Sequence, residues 1–201
     1  MVTEGDGSIA GEGTRDTLAR GNPRGVNLTP AEAAARAARI ALVISDNDGV
    51  MTDGTVYVSA TGEEMKVYNV RDGMGVERLR ERGIATAIVT REPPALIARR
   101  AAKLELRHLW TSVRNKHAHL DRILEEANVS LDQLAYIGDD LNDLEIIAAI
   151  GEVGLTAAPA DAMPRVRESV HYVCNAPGGR GAFRELAEWL LRLRSNSGGQ
   201  R

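Results

Sequence analysis

Ile44-Ser45-Asp46-Asn47-Asp48-Gly49-Val50-Met51-Thr52-Asp53-Gly54 is the stretch around which the chain is organised. It follows Ile40-Ala41-Leu42-Val43-Ile44, a short apolar run with β-branched residues and no amphipathic period. Such a run reads as a buried strand of a parallel sheet. Asp46 and Asp48 fall two residues apart where that strand ends. In an open α/β sheet, ligands bind in the crevice beyond the carboxyl ends of the strands. Two carboxylates there, followed by a turn-forming Gly, are costly unless they hold a metal or do chemistry. Taken alone, Asp-Asn-Asp-Gly reads equally well as a polar turn.

Working outward, Thr29-Pro30-Ala31-Glu32 carries the marks of a helix start: Thr as N-cap, Pro at the first helical position and Glu three residues on. An Ala-rich helix to Arg39 then feeds the first strand. Beyond the aspartates, Thr55–Val58 and Glu64–Asn69 flank Ser59–Glu63 as a β-hairpin. The pattern then alternates. Helices are predicted over Val76–Arg82, Ala95–Leu104, Lys116–Ala127, Leu141–Ala149, Ala162–Glu168 and Gly181–Arg194. Strands are predicted over Ile84–Val89, Arg107–Trp110 and Leu134–Ile137, with edge strands at Val153–Leu155 and His171–Val173. Strands alternating with helices imply βαβ units, hence an α/β fold with a Rossmann-like, doubly wound parallel sheet.

The 201 residues suit one domain with a sizeable core. Its expected bounds are 29–194, between a disordered extension over 1–28, polar and Gly-rich, and a disordered tail over 195–201. A net charge of −3 with interspersed signs, and no basic cluster mixed with aromatics, argue against nucleic acid as a partner. No apolar run has transmembrane length and the N-terminal stretch lacks a signal peptide's apolar core, so the cytoplasm is expected and a membrane partner is not. The one cysteine, Cys174, fits a reducing compartment and reads as a small buried residue.

Three further polar clusters fall where strands end. Thr90 follows Ile84–Val89, Lys116 opens the helix after the third strand, and Gly138-Asp139-Asp140-Leu141-Asn142-Asp143 follows Leu134–Ile137. Singly, these are a helix cap, a solvated charge and first-turn acids. Together and in order, they converge on one rim of the sheet.

This ordered set resembles the haloacid dehalogenase (HAD) superfamily of phosphohydrolases over about Ile40 to Leu190. The resemblance implies Asp46 as the nucleophile that takes the phosphoryl group and Asp48 as general acid, then base. It implies Thr90 and Lys116 as holders of the transferring group. Asp46, the backbone carbonyl of Asp48, and Asp139 would coordinate Mg²⁺, an oxygen-liganded hard cation. Asp140 and Asp143 would support the metal shell or Lys116. The gaps of 42, 26 and 23 residues between Asp48, Thr90, Lys116 and Asp139 leave no room for a cap domain, only for the hairpin as a flap.

Asp48–Gly54, Gly62-Glu63-Glu64-Met65-Lys66, Arg71-Asp72-Gly73-Met74-Gly75 and Gly178-Gly179-Arg180-Gly181-Ala182 narrow the resemblance to the capless 3-deoxy-D-manno-octulosonate 8-phosphate phosphatases. These are homotetramers acting on a small phosphorylated sugar acid, with hairpins assembled between subunits and sites completed by neighbours. By this resemblance Lys66, Arg71, Asp72 and Arg180 line the substrate pocket. Asn47 stands where the family has an apolar residue. After Thr90 the chain reads Arg91-Glu92-Pro93-Pro94, where octulosonate phosphatases read Gly-Arg. Glu92, with Arg100 and Lys103, resembles relatives acting on nine-carbon ulosonate 9-phosphates of the sialate type, and the alternative substrate follows from that. A reading of another class, a non-catalytic oligomerisation partner of a sugar-nucleotide enzyme, has no use for the four catalytic positions together.

Overall fold

The computed structural model describes residues 26–198. The expected N-terminal extension lies, up to Gly25, outside the described residues. Helix α1 (Pro30–Arg39) begins at the expected capping box: Glu32 N donates to Thr29 Oγ1 at 3.2 Å and Thr29 N donates to Glu32 Oε2 at 2.8 Å. Then come β1 (Leu42–Ser45), the hairpin β2 (Val56–Ser59) and β3 (Gly62–Lys66), α2 (Val70–Arg80), β4 (Ala85–Val89), α3 (Ala98–Lys103), β5 (His108–Trp110) and α4 (Leu120–Ala127). The chain closes with β6 (Leu134–Ile137), α5 (Leu144–Gly151), β7 (Leu155–Ala158), α6 (Pro164–Ser169), β8 (Tyr172–Val173) and α7 (Ala182–Gly198).

Six strands form one parallel sheet in the order β5-β4-β1-β6-β7-β8, and the hairpin stands apart. From β1 the chain builds outward to β4 and β5 on one side and to β6, β7 and β8 on the other. The switch point is therefore at β1, and the crevice opens beyond Ser45. Side chains alternate along each strand. Val43, Ile88, Ala135 and Ile137 pack into a core with α1, α2 and α7, whereas Leu42, Ile44, Ala87, Val89 and Tyr136 face α4, α5 and α6.

Several boundaries depart from expectation: the hairpin's second strand is Gly62–Lys66, not Glu64–Asn69, α3 and α5 each start three residues late, and β7 (Leu155–Ala158) lies between β6 and β8, not at an edge as expected for Val153–Leu155. Helix α2 starts six residues before Val76, because Asn69 Oδ1 caps Arg71 N at 2.8 Å. Its two glycines do not break it. At Gly75 the bare Cα admits the start of α7, where a Cβ would meet Arg184 Cα at 3.0 Å. Lys116–His119 is a turn, and α4 begins only at Leu120. Helix α7 runs on to Gly198, so residues 195–198 belong to it and not to a disordered tail.

Candidate active site

The strand register carries the first carboxylate into the crevice. Asp46 N still donates to Ile137 O at 2.9 Å, one step beyond β1, so Asp46 emerges level with the end of β6. Its Oδ1 accepts from Asn47 N at 2.7 Å and pairs with Lys116 Nζ at 2.9 Å. Lys116 also reaches Asp143 Oδ1 at 2.6 Å, and its side chain is only 1% exposed. Burial opposes the ammonium's charge, but Asp46 and Asp143 outweigh it and hold the Lys116 pKa above its ordinary value. Burial also pushes the Asp46 carboxyl up, Lys116 pulls it back, and Asp143 raises it further.

Carboxylate oxygens of Asp46, Asp139 and Asp143 lie within 4.8 Å of one another. They are not equivalent. Asp143 Oδ1 accepts from Lys116 Nζ and from Tyr136 Oη, each at 2.6 Å. Its Oδ2 accepts from Asp139 N at 3.0 Å and Asp140 N at 3.3 Å. Four donors use the four lone-pair directions of a carboxylate, so Asp143 is a lysine anchor and not a ligand. Asp139 is the opposite case: its Oδ1 is buried with no partner among the described residues. Burial, with the charges of Asp46 and Asp143, raises its pKa to about 8. A buried oxygen left unpaired among carboxylates is costly without a cation. The residues thus fit a hard divalent ion held by Asp46 and Asp139. Gly49, at φ +88°, leaves the room: a Cβ there would collide with the Asp139 carboxylate.

The second aspartate meets the flap. Asp48 Oδ1 pairs with Lys66 Nζ at 2.8 Å, and Lys66, from the last position of β3, also lies 3.4 Å from Glu92 Oε2. Asn47 is fully buried and polar on both sides, with Nδ2 donating to Asp48 Oδ1 at 3.1 Å and Oδ1 accepting from Tyr68 Oη at 3.1 Å. Thr90 is buried beyond β4, where its Oγ1 accepts from Glu92 N at 3.1 Å.

Other expected positions behave differently. Asp140 does not support Lys116; it is exposed and caps the turn Leu141–Asp143, its Oδ1 accepting from Leu141 N at 2.7 Å. Asp72 does not line the pocket. It is fully buried, and its carboxylate accepts from Gly181 N at 3.1 Å and Arg184 N at 3.0 Å, tying α2 to the unpaired N–H groups that start α7. Arg100 is spent inside the chain: it donates to Asn69 O at 3.1 Å and lies 5.3 Å above the Tyr68 ring. Arg71 and Lys103 are exposed on α2 and α3. Arg180 is exposed and reaches Asp53 Oδ2 at 3.4 Å. Its loop does join the site, since Gly179 N donates to Val50 O at 2.8 Å and Gly178 N to Asp161 Oδ1 at 2.9 Å.

Sequence reading missed Tyr136, Asn47's amide bridge, Tyr68 and Thr52, whose Oγ1 donates to Asp48 Oδ1 at 3.2 Å. Tyr136 carries no signal, because an aromatic residue in an apolar strand looks like core. Asn47 did carry one, being polar inside a buried segment.

The haloacid dehalogenase-like hydrolase family model matches residues 109–182. A 3-deoxy-D-manno-octulosonate 8-phosphate phosphatase from Yersinia pestis is 42% identical over 156 residues, spanning 78% of this chain and 82% of its own length. A crystal structure of that phosphatase from the same organism superposes with a TM-score of 0.76 at 39% identity, covering 84% of this chain and 89% of that one. The Moraxella catarrhalis enzyme, solved with a magnesium ion, a phosphate ion and a KDO molecule, gives 0.76 at 32% identity, covering 82% and 93%. With the Asp46–Lys116–Asp143 chain and the Asp139 oxygen at the same rim, these likenesses make the protein a member of the haloacid dehalogenase-like hydrolases, in the group of 3-deoxy-D-manno-octulosonate 8-phosphate phosphatases.

Proposed function

We propose that the chain hydrolyses the terminal phosphate of 3-deoxy-D-manno-octulosonate 8-phosphate through an aspartyl-phosphate. One observation carries this: a lysine 1% exposed, paired with Asp46 and Asp143, beside the unpaired Asp139 oxygen at the carboxyl end of a buried strand. A scaffold would gain nothing from so costly a buried charge cluster.

Asp46, Asp139 and the backbone carbonyl of Asp48 would hold Mg²⁺. When bound, it neutralises charge on the phosphoryl group and so lets a carboxylate approach a phosphate dianion. Asp46 attacks phosphorus, the bond to the sugar oxygen breaks, and Asp48 gives that oxygen its proton. Asp48 then takes a proton from the water that attacks the aspartyl-phosphate, which releases phosphate and restores Asp46. Lys116 and Thr90 hold the phosphoryl oxygens meanwhile.

Glu92 supports a second substrate, a nine-carbon ulosonate 9-phosphate, because it puts a carboxylate where a sugar acid's own carboxylate would need a cation. Arg71, Lys103 and Arg180 are exposed and would bind that acid. The apolar residues exposed on the hairpin, Val56, Tyr57, Val58 and Met65, support a homotetramer whose flaps meet and whose sites neighbours complete. The free thiol of Cys174 supports a cytoplasmic location, and no described helix is long and apolar enough to cross a membrane.

The deciding experiment measures phosphate release from the eight- and nine-carbon substrates side by side, with Mg²⁺ and with EDTA. Preference for the eight-carbon acid, lost in EDTA and in Asp46→Asn, is the expected result. Preference for the nine-carbon acid makes Glu92 the specificity residue. No turnover of either by folded protein would sink the reading.

A further inference from the structure

Asp48 is gripped by one oxygen only. Its Oδ1 takes Lys66 Nζ at 2.8 Å, Asn47 Nδ2 at 3.1 Å and Thr52 Oγ1 at 3.2 Å. Among the described residues no donor reaches Oδ2, and the side chain stays 28% exposed, so that oxygen is left to the open side of the site. The donors are themselves fixed. Tyr68 Oη donates to Asn47 Oδ1, which leaves the Asn47 amide only its NH₂ to offer Asp48. Lys66 is 2% exposed and has Glu92 as a second carboxylate at 3.4 Å, so its ammonium is held away from bulk water. Lys66 is also the residue through which the hairpin touches the acid–base group.

We propose that Lys66 is a positioning residue which, with Asn47 and Thr52, holds Asp48 by Oδ1 so that proton transfer runs through Oδ2 alone. The proposal rests on the phosphatase reading above and deepens it. In the transfer, the proton leaves Asp48 Oδ2 for the bridging oxygen as that oxygen takes the electron pair of the breaking P–O bond. The carboxylate left behind keeps its charge beside the Lys66 ammonium. The flap thereby belongs to the acid–base machinery as well as to the site's wall.

Leaving groups separate this role from a structural one. A sugar alkoxide needs the proton, whereas p-nitrophenolate departs without it. In the first step, transfer of the phosphoryl group to Asp46, a misaimed Asp48 therefore harms only the sugar phosphate; the later attack of water, common to both substrates, it slows alike. The test is rapid-quench kinetics of the first turnover, with release of the sugar or of p-nitrophenol followed at enzyme in excess, for wild type, Lys66→Met and Lys66→Arg at saturating Mg²⁺, on octulosonate 8-phosphate and on p-nitrophenyl phosphate. Lys66→Met is expected to lower the first-turnover rate on the sugar phosphate by about 10²-fold, with substrate affinity and the first-turnover rate on p-nitrophenyl phosphate changed less than about threefold. Lys66→Arg should restore part of the loss. Equal loss of the first-turnover rate on both substrates, or weakened binding of the sugar phosphate with its first-turnover rate kept, overturns the inference. Should Lys66→Met fail to fold by circular dichroism, Thr52→Val decides by the same split, at about tenfold. Wild-type inactivity on both substrates would instead remove the phosphatase reading, and this inference with it.

Discussion

Lys116 Nζ lies 2.6 Å from Asp143 Oδ1, and both side chains are shut off from solvent. The pair joins the turn before α4 to the turn before α5, two segments 27 residues apart. Neither charge could be buried there alone. Their mutual attraction, with Asp46 as a third member, is what makes the cluster tolerable.

Removing the anchor exposes that dependence. Asp143→Ala leaves the Tyr136 hydroxyl, two backbone N–H groups and half of the Lys116 charge without an acceptor. The expected loss is about 3–5 kcal/mol in urea unfolding, along with a fall in kcat of at least roughly 10²-fold as Lys116 loses its aim. Unchanged stability would mean the four donors find water instead.

Metal affinity should depend on pH. Without the ion, Asp139 titrates at about 8, pushed up by burial and by Asp46 and Asp143. Below that pH an incoming cation must displace a proton; above it, none. Apparent Mg²⁺ affinity should therefore rise with pH toward pH 8, by about tenfold per unit for each proton displaced, then level off. Calorimetry in buffers of differing ionisation enthalpy would show the released proton. Asp139→Asn should lose both the proton release and most of the affinity.

His171 should make the fold acid-sensitive. Its Nδ1 accepts from Thr156 N at 3.1 Å, which places the ring proton on Nε2, a buried atom with no partner among the described residues. Burial, with the charge of Arg36, lowers its pKa to about 4. An unfolded histidine titrates near about 6.5, so between those values the unfolded chain takes a proton that the folded one refuses. This contribution is complete above the unfolded pKa and falls away as pH drops toward 4, by at most about 3 kcal/mol. His171→Gln should flatten that part of the stability profile.

The hairpin offers the test of assembly. Val58 is 68% exposed at its outer face, a poor state for a β-branched residue unless another chain covers it. Val58→Asp should shift the light-scattering mass from tetramer toward monomer and leave the thermal stability of the single domain within about 0.5 kcal/mol. A wild type that is already monomeric would remove the tetramer proposal.

Much of the site was readable along the chain. Asp46, Thr90 and Asp139 each follow a visible apolar strand, and a parallel sheet delivers all such positions to one rim. Lys116 could be placed in order but not in geometry, since its helix starts four residues later and the lysine sits in a turn. Asp72 was misplaced for a related reason. The resemblance put it in the pocket, yet here Gly75 admits α7 and the acid caps it.

The sequence by itself determined the sheet, the element order and the chemical groups available, because apolar period and strand-end position are local properties of the chain. Only the tertiary structure decided that Asp143 anchors Lys116, that an Asp139 oxygen is left for a cation, and that Asp48 is turned toward the flap. Those roles depend on how many donors reach each oxygen. The donors come from residues as distant as Lys66, Lys116 and Tyr136, whose approach is settled by packing and not by spacing.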